Sequence, residues 1–166
     1  MIKIYLFDWG DTLMIDFPGV PGKMCDWEVV QTVDGAEEVL EELSSEALVY
    51  VATGAAESTE AEIKSAFDRV NLSQYISGYF CKANLGVTKG SPEFLKSILA
   101  QLNVTPQSVA MVGDSIEKDI KPALSIGIQA ILFSPHDVDA IPDNVKVIHN
   151  LRELSLKQPS LLMPTQ

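Results

Sequence analysis

Apolar and polar positions along this chain switch between two periods. Short runs rich in β-branched and aromatic residues recur at positions 2–7, 48–52, 78–81, 109–112 and 129–132, with a shorter one at 146–148. Such runs predict buried strands. Between them the spacing becomes helical. Over 35–43, Ala36, Val39, Leu40 and Leu43 share one face, and Glu37, Glu38, Glu41 and Glu42 share the other. That is an amphipathic helix with a solvated acidic face. Thr59 and Glu62 have capping-box spacing, and Ile63, Ala66, Phe67 and Val70 continue the stripe. Ser91-Pro92 reads as a cap followed by proline at the first helical position, with Phe94, Leu95, Ile98, Leu99 and Leu102 as a core face. Ile120, Ala123 and Leu124 lead to a helix stop at Gly127, which requires Pro122 to lie in the first turn.

Repeated strand–helix alternation predicts a three-layer α/β fold, a parallel sheet with helices on both faces. It fits one domain over residues 1–156. Within it, 14–33 has no period and contains Pro18, Gly19, Pro21 and Gly22, so it reads as a long loop. The segment 157–166 carries Pro159 and Pro164 and reads as a tail, with Leu161, Leu162 and Met163 available to dock on the body. Ligands of such sheets bind outside the carboxyl ends of the strands. The polar residues there are Asp8 and Asp11 after the first strand, Thr53-Gly54 after the second, and Gly113-Asp114-Ser115 after the fourth, with Asp119 a little later. Lys89-Gly90 stands just before the third main helix. These groups are expected to converge on one edge.

Composition narrows the picture. A chain of 166 residues that is 46% apolar can bury a sizeable core. It has no apolar run of about 18 residues, so no membrane span is expected. The N-terminus shows no basic segment followed by an apolar one. Cys25 and Cys81 have the spacing of neither a zinc cluster nor a redox pair. Two free thiols in a reducing cytoplasm are expected, Cys25 the more exposed. The net charge of −11 opposes non-specific nucleic-acid binding. It also opposes an anionic substrate unless a divalent cation supplies local positive charge. His136 and His149 fall in late loops or strand ends and suggest no Ser–His–Asp hydrolase.

Asp8 taken alone is open to two readings. A carboxylate at the end of a buried strand can be a nucleophile or metal ligand, and Asp and Gly are also ordinary turn residues. Magnesium prefers oxygen ligands, which Asp8, Asp114 and the main-chain carbonyl of Gly10 would supply. A carboxylate can attack phosphorus and form an aspartyl phosphate. Lys89, the Thr53 hydroxyl and backbone N–H groups near Gly54 could hold phosphoryl oxygens. Asp119 could pair with Lys89 and keep it charged.

Four motifs in order carry a family resemblance: Ile4-Tyr5-Leu6-Phe7-Asp8-Trp9-Gly10-Asp11-Thr12-Leu13, then Val49-Tyr50-Val51-Ala52-Thr53-Gly54, then Lys89-Gly90-Ser91-Pro92-Glu93-Phe94, then Val112-Gly113-Asp114-Ser115 with Asp119-Ile120. The set resembles the haloacid dehalogenase (HAD) superfamily of phosphohydrolases. The resemblance implies a Rossmann-like, HAD-like fold and a magnesium-dependent phosphatase acting on a phosphorylated substrate. It implies that Asp8 is the nucleophile, and that Thr53, Gly54 and Lys89 bind the phosphoryl group. It further implies that Asp8, Asp114 and the Gly10 carbonyl bind Mg2+, with Asp119 in support.

Two departures from the family pattern stand out. Family phosphatases carry a second Asp two residues after the nucleophile, which protonates the leaving alkoxide and later activates water. Here that position is Gly10. General acid–base catalysis is worth about 10²–10⁴-fold, so alkyl phosphates are expected to be slow and aryl or acyl phosphates to suffer least. Asp11, one residue further on, would substitute only if a turn broke strand alternation. The second departure is length. Neither the stretch from Asp8 to Thr53 nor that from Thr53 to Lys89 can hold a full cap domain. Phe17, Met24 and Trp27 in the 14–33 loop either form a lid or pin the loop to the body. An open site suits a large substrate or closure by a second subunit, which keeps a homo-oligomer among the expected partners.

Other readings remain. Halide displacement needs no magnesium, and Asp114 and Asp119 argue against it. Trp9-Gly10 looks like the first motif of the family's phosphonate hydrolases, whose cap lysine has no room here. A metal- or phosphate-binding regulatory protein with little turnover would also fit Gly10. A receiver-type phosphoacceptor shares the residue set but has a different motif order.

Overall fold

The computed structural model describes residues 1–155. The expected tail at 157–166, with Leu161, Leu162 and Met163, lies outside the described residues. Among the described residues the apolar runs form β1 (Ile4–Phe7), β2 (Leu48–Ala52), β3 (Gly78–Phe80), β4 (Val109–Gly113), β5 (Gln129–Phe133) and β6 (Val145–Ile148). The helices are α1 (Ala36–Ser44), α2 (Glu60–Asp68), α3 (Lys82–Leu85), α4 (Pro92–Leu102) and α5 (Lys121–Ser125). The sheet order is β3-β2-β1-β4-β5-β6, with every pair parallel. The chain winds outward from β1 to β3, then crosses back to β4 on the other side of β1. That reversal opens a crevice between the carboxyl ends of β1 and β4. Phe7 is in register with Val112, and the Asp8 N–H donates to the Val112 carbonyl at 2.9 Å. Asp8 and Asp114 therefore leave the sheet side by side at the switch point.

Strand alternation feeds two separate cores. Tyr5, Phe7, Ala110 and Val112 pack with Val39, Leu40 and Leu43 of α1 and Ile63, Ala66 and Phe67 of α2. Ile4, Leu6, Val109 and Met111 pack with Phe94, Leu95 and Ile98 of α4 and Ala123 of α5. Burial on both faces is why the central strands read as unbroken apolar runs. No described helix is long and apolar enough to cross a membrane.

Local signals mostly hold. Thr59 and Glu62 form the capping box at α2, with bonds of 3.2 and 2.9 Å. Pro122 lies in the first turn of α5. Two expectations need correction. Gly35 is not helical: it caps α1 with φ of 87°, a left-handed geometry that glycine adopts without strain. Ser91 occupies the cap position of α4, but its side chain makes no capping bond. The 14–33 stretch is the expected loop, and it is tied to the body. Met14 bridges to Gly10 and to Thr32, and Leu13, Met14, Met24 and Trp27 are buried. The Arg69 guanidinium, just past α2, donates to the carbonyls of Met24, Cys25, Trp27 and Glu28. Cys81 is buried and Cys25 half-buried, both as free thiols.

Candidate active site

The turn that brings Lys89 to the crevice uses Gly90, whose φ of 117° is accessible to glycine. The Lys89 side chain is only 4% exposed. Its Nζ lies 2.8 Å from Asp8 Oδ1, 2.9 Å from the Ala52 carbonyl oxygen and 2.5 Å from Asp119 Oδ1. Burial works to neutralise this ammonium. The charges of Asp8 and Asp119, with their hydrogen bonds, outweigh it and hold the pKa above the ordinary lysine value. Lys89 is therefore a fixed cation.

Asp119 reaches inward from a π-helical turn over Ile116–Ile120, in which the Ile120 N–H returns five residues to the Ser115 carbonyl at 3.2 Å. Such turns are frequent at functional sites. Asp119 is 1% exposed, and its Oδ2 accepts the Ser115 N–H at 3.0 Å. A Cβ at Gly113 would overlap the Asp119 carboxylate and sit 2.7 Å from its Cβ. Glycine at 113 is the space in which Asp119 turns toward Lys89.

Oxygens of Asp8, Asp114 and Asp119 lie within 4.8 Å of one another. Three carboxylates against the one ammonium of Lys89 leave two negative charges unmatched within this cluster. Asp114 shows the strain: burial, then hydrogen bonding to and repulsion from Asp8, and repulsion from Asp119, push its pKa up to about 7. Buried Thr12 contributes a long contact from its hydroxyl to Asp114 Oδ1, at 3.5 Å. An all-oxygen donor set with two unmatched charges fits a hard divalent cation.

Thr53 is buried, and its N–H continues the sheet to the Phe80 carbonyl at 3.0 Å. Its Oγ accepts the Ala55 N–H at 3.1 Å, which leaves the hydroxyl proton free to donate into the crevice. Gly54 lies beside Lys89, where a Cβ would make ordinary contacts at 3.7 and 3.8 Å. Asp8, Gly10, Asp11, Thr53, Gly54, Lys89, Asp114 and Asp119, all expected from the sequence, line one cleft of about 810 Å³. Met24 and Trp27 line it too while buried in the core, so they pin the loop and form a wall of the cleft. Phe17 packs on Trp27, with ring centroids 6.3 Å apart.

Asp11 takes a left-handed conformation, φ 60°, and its Oδ1 accepts the Asp16 N–H at 3.0 Å. That carboxylate braces the loop. Asp16, which lines the cleft, and buried Thr12, which touches Asp114, are residues that sequence reasoning missed. No periodicity marks them, because their positions depend on how the loop folds back. Burial, then the charges of Asp11 and Asp8, hold the Asp16 carboxyl above its ordinary pKa.

The family profile of haloacid dehalogenase-like hydrolases matches residues 22–127. Ribulose-1,5-bisphosphate 5-phosphatase of Halopiger xanaduensis is 28% identical over 110 residues, covering 66% of this chain and 45% of that protein. Phosphoserine phosphatase of Thermus thermophilus is 30% identical over 91 residues, covering 52% of this chain and 36% of that protein. The matched regions thus span less than half the length of both curated relatives. Among solved structures, YfnB of Bacillus subtilis, assigned to the HAD hydrolases and bound to magnesium, superposes with a TM-score of 0.74 at 15% identity. The superposition covers 92% of this chain and 96% of that one.

Proposed function

Because the chain belongs to the haloacid dehalogenase-like hydrolase family, we propose that it is a magnesium-dependent phosphohydrolase working through an aspartyl phosphate on Asp8. One observation carries this reading: Lys89 Nζ, buried between Asp8 and Asp119, fixes a carboxylate and a cation beside Asp114 at the sheet's switch point. Asp8, Asp114 and the Gly10 carbonyl would hold the ion, which supplies positive charge for phosphoryl oxygens. Lys89 and the Thr53 hydroxyl bind the same oxygens, with the Gly54 N–H. Asp119 positions Lys89. The Asp8 carboxylate, held at 2.8 Å by Lys89, is the attacking group.

Two curated relatives are named for alkyl phosphate substrates, a sugar bisphosphate and phosphoserine. A small phosphate monoester is the substrate class we assign. Aryl phosphates are the practical probe, since their leaving groups need protonation least. With Mg2+ the protein releases phosphate from an aryl phosphate, and Asp8→Asn abolishes that release. Normal turnover by Asp8→Asn would sink the mechanism. Gly10 favours a second reading, a regulatory phosphate-binding protein. That reading predicts binding of Mg2+ and a phosphate analogue with no turnover across a broad substrate panel.

A further inference from the structure

Gly10 carries no acid, but the space in front of it is held by one. The chain turns back immediately after Gly10. The Asp11 N–H donates to the Met14 carbonyl at 2.6 Å, Gly10 and Met14 form a bridge, and Asp11 Oδ1 receives the Asp16 N–H at 3.0 Å. This fold-back returns Asp16 to the face of Gly10. A Cβ at position 10 would lie 3.3 Å from the Asp16 Cβ and 3.5 Å from its Oδ2. Asp16 is exposed and lines the same cleft as Asp8, Thr53 and Lys89. Among the described residues no hydrogen bond engages its carboxylate, whereas the Asp11 carboxylate is spent on the loop.

We propose that Asp16, delivered to the face of Gly10 by the turn over residues 11–16, is the general acid and base of this active site. The inference rests on the phosphohydrolase reading above and changes its expected substrate range. In the first step an Asp8 oxygen bonds to phosphorus and the bond from phosphorus to the leaving oxygen breaks. The leaving oxygen takes that electron pair together with the proton of the Asp16 carboxyl, giving an alcohol and an Asp16 carboxylate. In the second step water attacks the phosphorus of the aspartyl phosphate and gives a proton to Asp16. The bond from phosphorus to Asp8 breaks, releasing inorganic phosphate and restoring both carboxyl groups to their starting states. Alkyl phosphates are then full substrates despite Gly10. An Asp side chain at position 10 alone would be crowded by Asp16 and would add little.

The test is kcat/KM with Mg2+ on one alkyl and one aryl phosphate, which reads the step in which the leaving group departs. Asp16→Asn keeps the backbone bond to Asp11, so its thermal unfolding should match the unaltered protein. It should lose about 10²–10⁴-fold on the alkyl ester and far less on the aryl ester. The double variant Gly10→Asp/Asp16→Ala carries the carboxyl on a Cβ 3.3 Å from that of residue 16 and should recover alkyl turnover over Asp16→Ala. Equal losses on both esters, no loss on the alkyl ester, or a selective alkyl loss in Asp11→Asn instead would each overturn the assignment of Asp16 while leaving the phosphohydrolase standing. No phosphate release from either ester by the unaltered protein would overturn the phosphohydrolase reading, and the Asp16 role with it.

Discussion

Lys89 stays charged because two carboxylates face it in a buried place, and Asp119 reaches it because position 113 has no side chain. These two facts make Gly113 a residue of the site without any functional group. Overpacking a filled interior costs about 1–3 kcal/mol. Gly113→Ala should lose at least that in urea unfolding, and turnover should fall with it as Asp119 is pushed off Lys89. A variant of native stability and activity would show that Asp119 has another place to go. Asp8, Thr53, Lys89, Asp114 and Asp119 were legible because each follows a strand or precedes a helix, where a parallel sheet puts its ligands. Thr12, Gly113 and Asp16 were not. Their roles are distances between side chains and backbone from different turns, and no periodic pattern encodes such distances.

The elements divide in the same way. Strand positions came through within a residue or two, because burial on both sheet faces demands continuous apolar runs. The four-residue α3 and the π-helical turn over Ile116–Ile120 left no apolar stripe to read. The 14–33 segment reads as a loop and is one, held by bonds to its backbone rather than by a repeating face. Arg69 supplies four of these, to carbonyls of Met24, Cys25, Trp27 and Glu28, and Lys23 adds an ion pair to Glu62 at 2.8 Å. Hydrogen bonds to charged groups contribute about 1.5–3 kcal/mol. Arg69→Ala should therefore free this wall of the cleft locally. Thiol labelling of half-buried Cys25 should speed up while buried Cys81 stays protected. Unchanged labelling would mean that Met24 and Trp27, packed in the core, hold the wall unaided.

For the whole molecule the net charge is −11, and the cleft adds a local excess, with Asp8, Asp114 and Asp119 set against the one ammonium of Lys89. Asp114, raised to about 7, sets the sign of a pH effect. Between the ordinary carboxylate range and pH 7 the folded chain binds more protons than the unfolded one, so stability falls as pH rises through that window. Without divalent cation the Tm should rise from pH 8 to pH 5, and Asp114→Asn should flatten that slope. Under the proposed function Mg2+ should bind the folded state and raise Tm at pH 8 more than at pH 5, where a proton competes for Asp114. Matching slopes in both proteins, or no response to Mg2+, would contradict the charge accounting. The sequence by itself determined the layered α/β class, the sheet edge where chemistry collects and five of the charged or hydroxyl groups there. All of these follow from periodicity and from the rule that parallel strands end at the ligand. Only the tertiary structure decided that Gly113 makes room for Asp119, that Asp11 braces a loop, and that Asp16 stands where Gly10 has nothing. Those depend on contacts between segments whose spacing along the chain says nothing about their spacing in space.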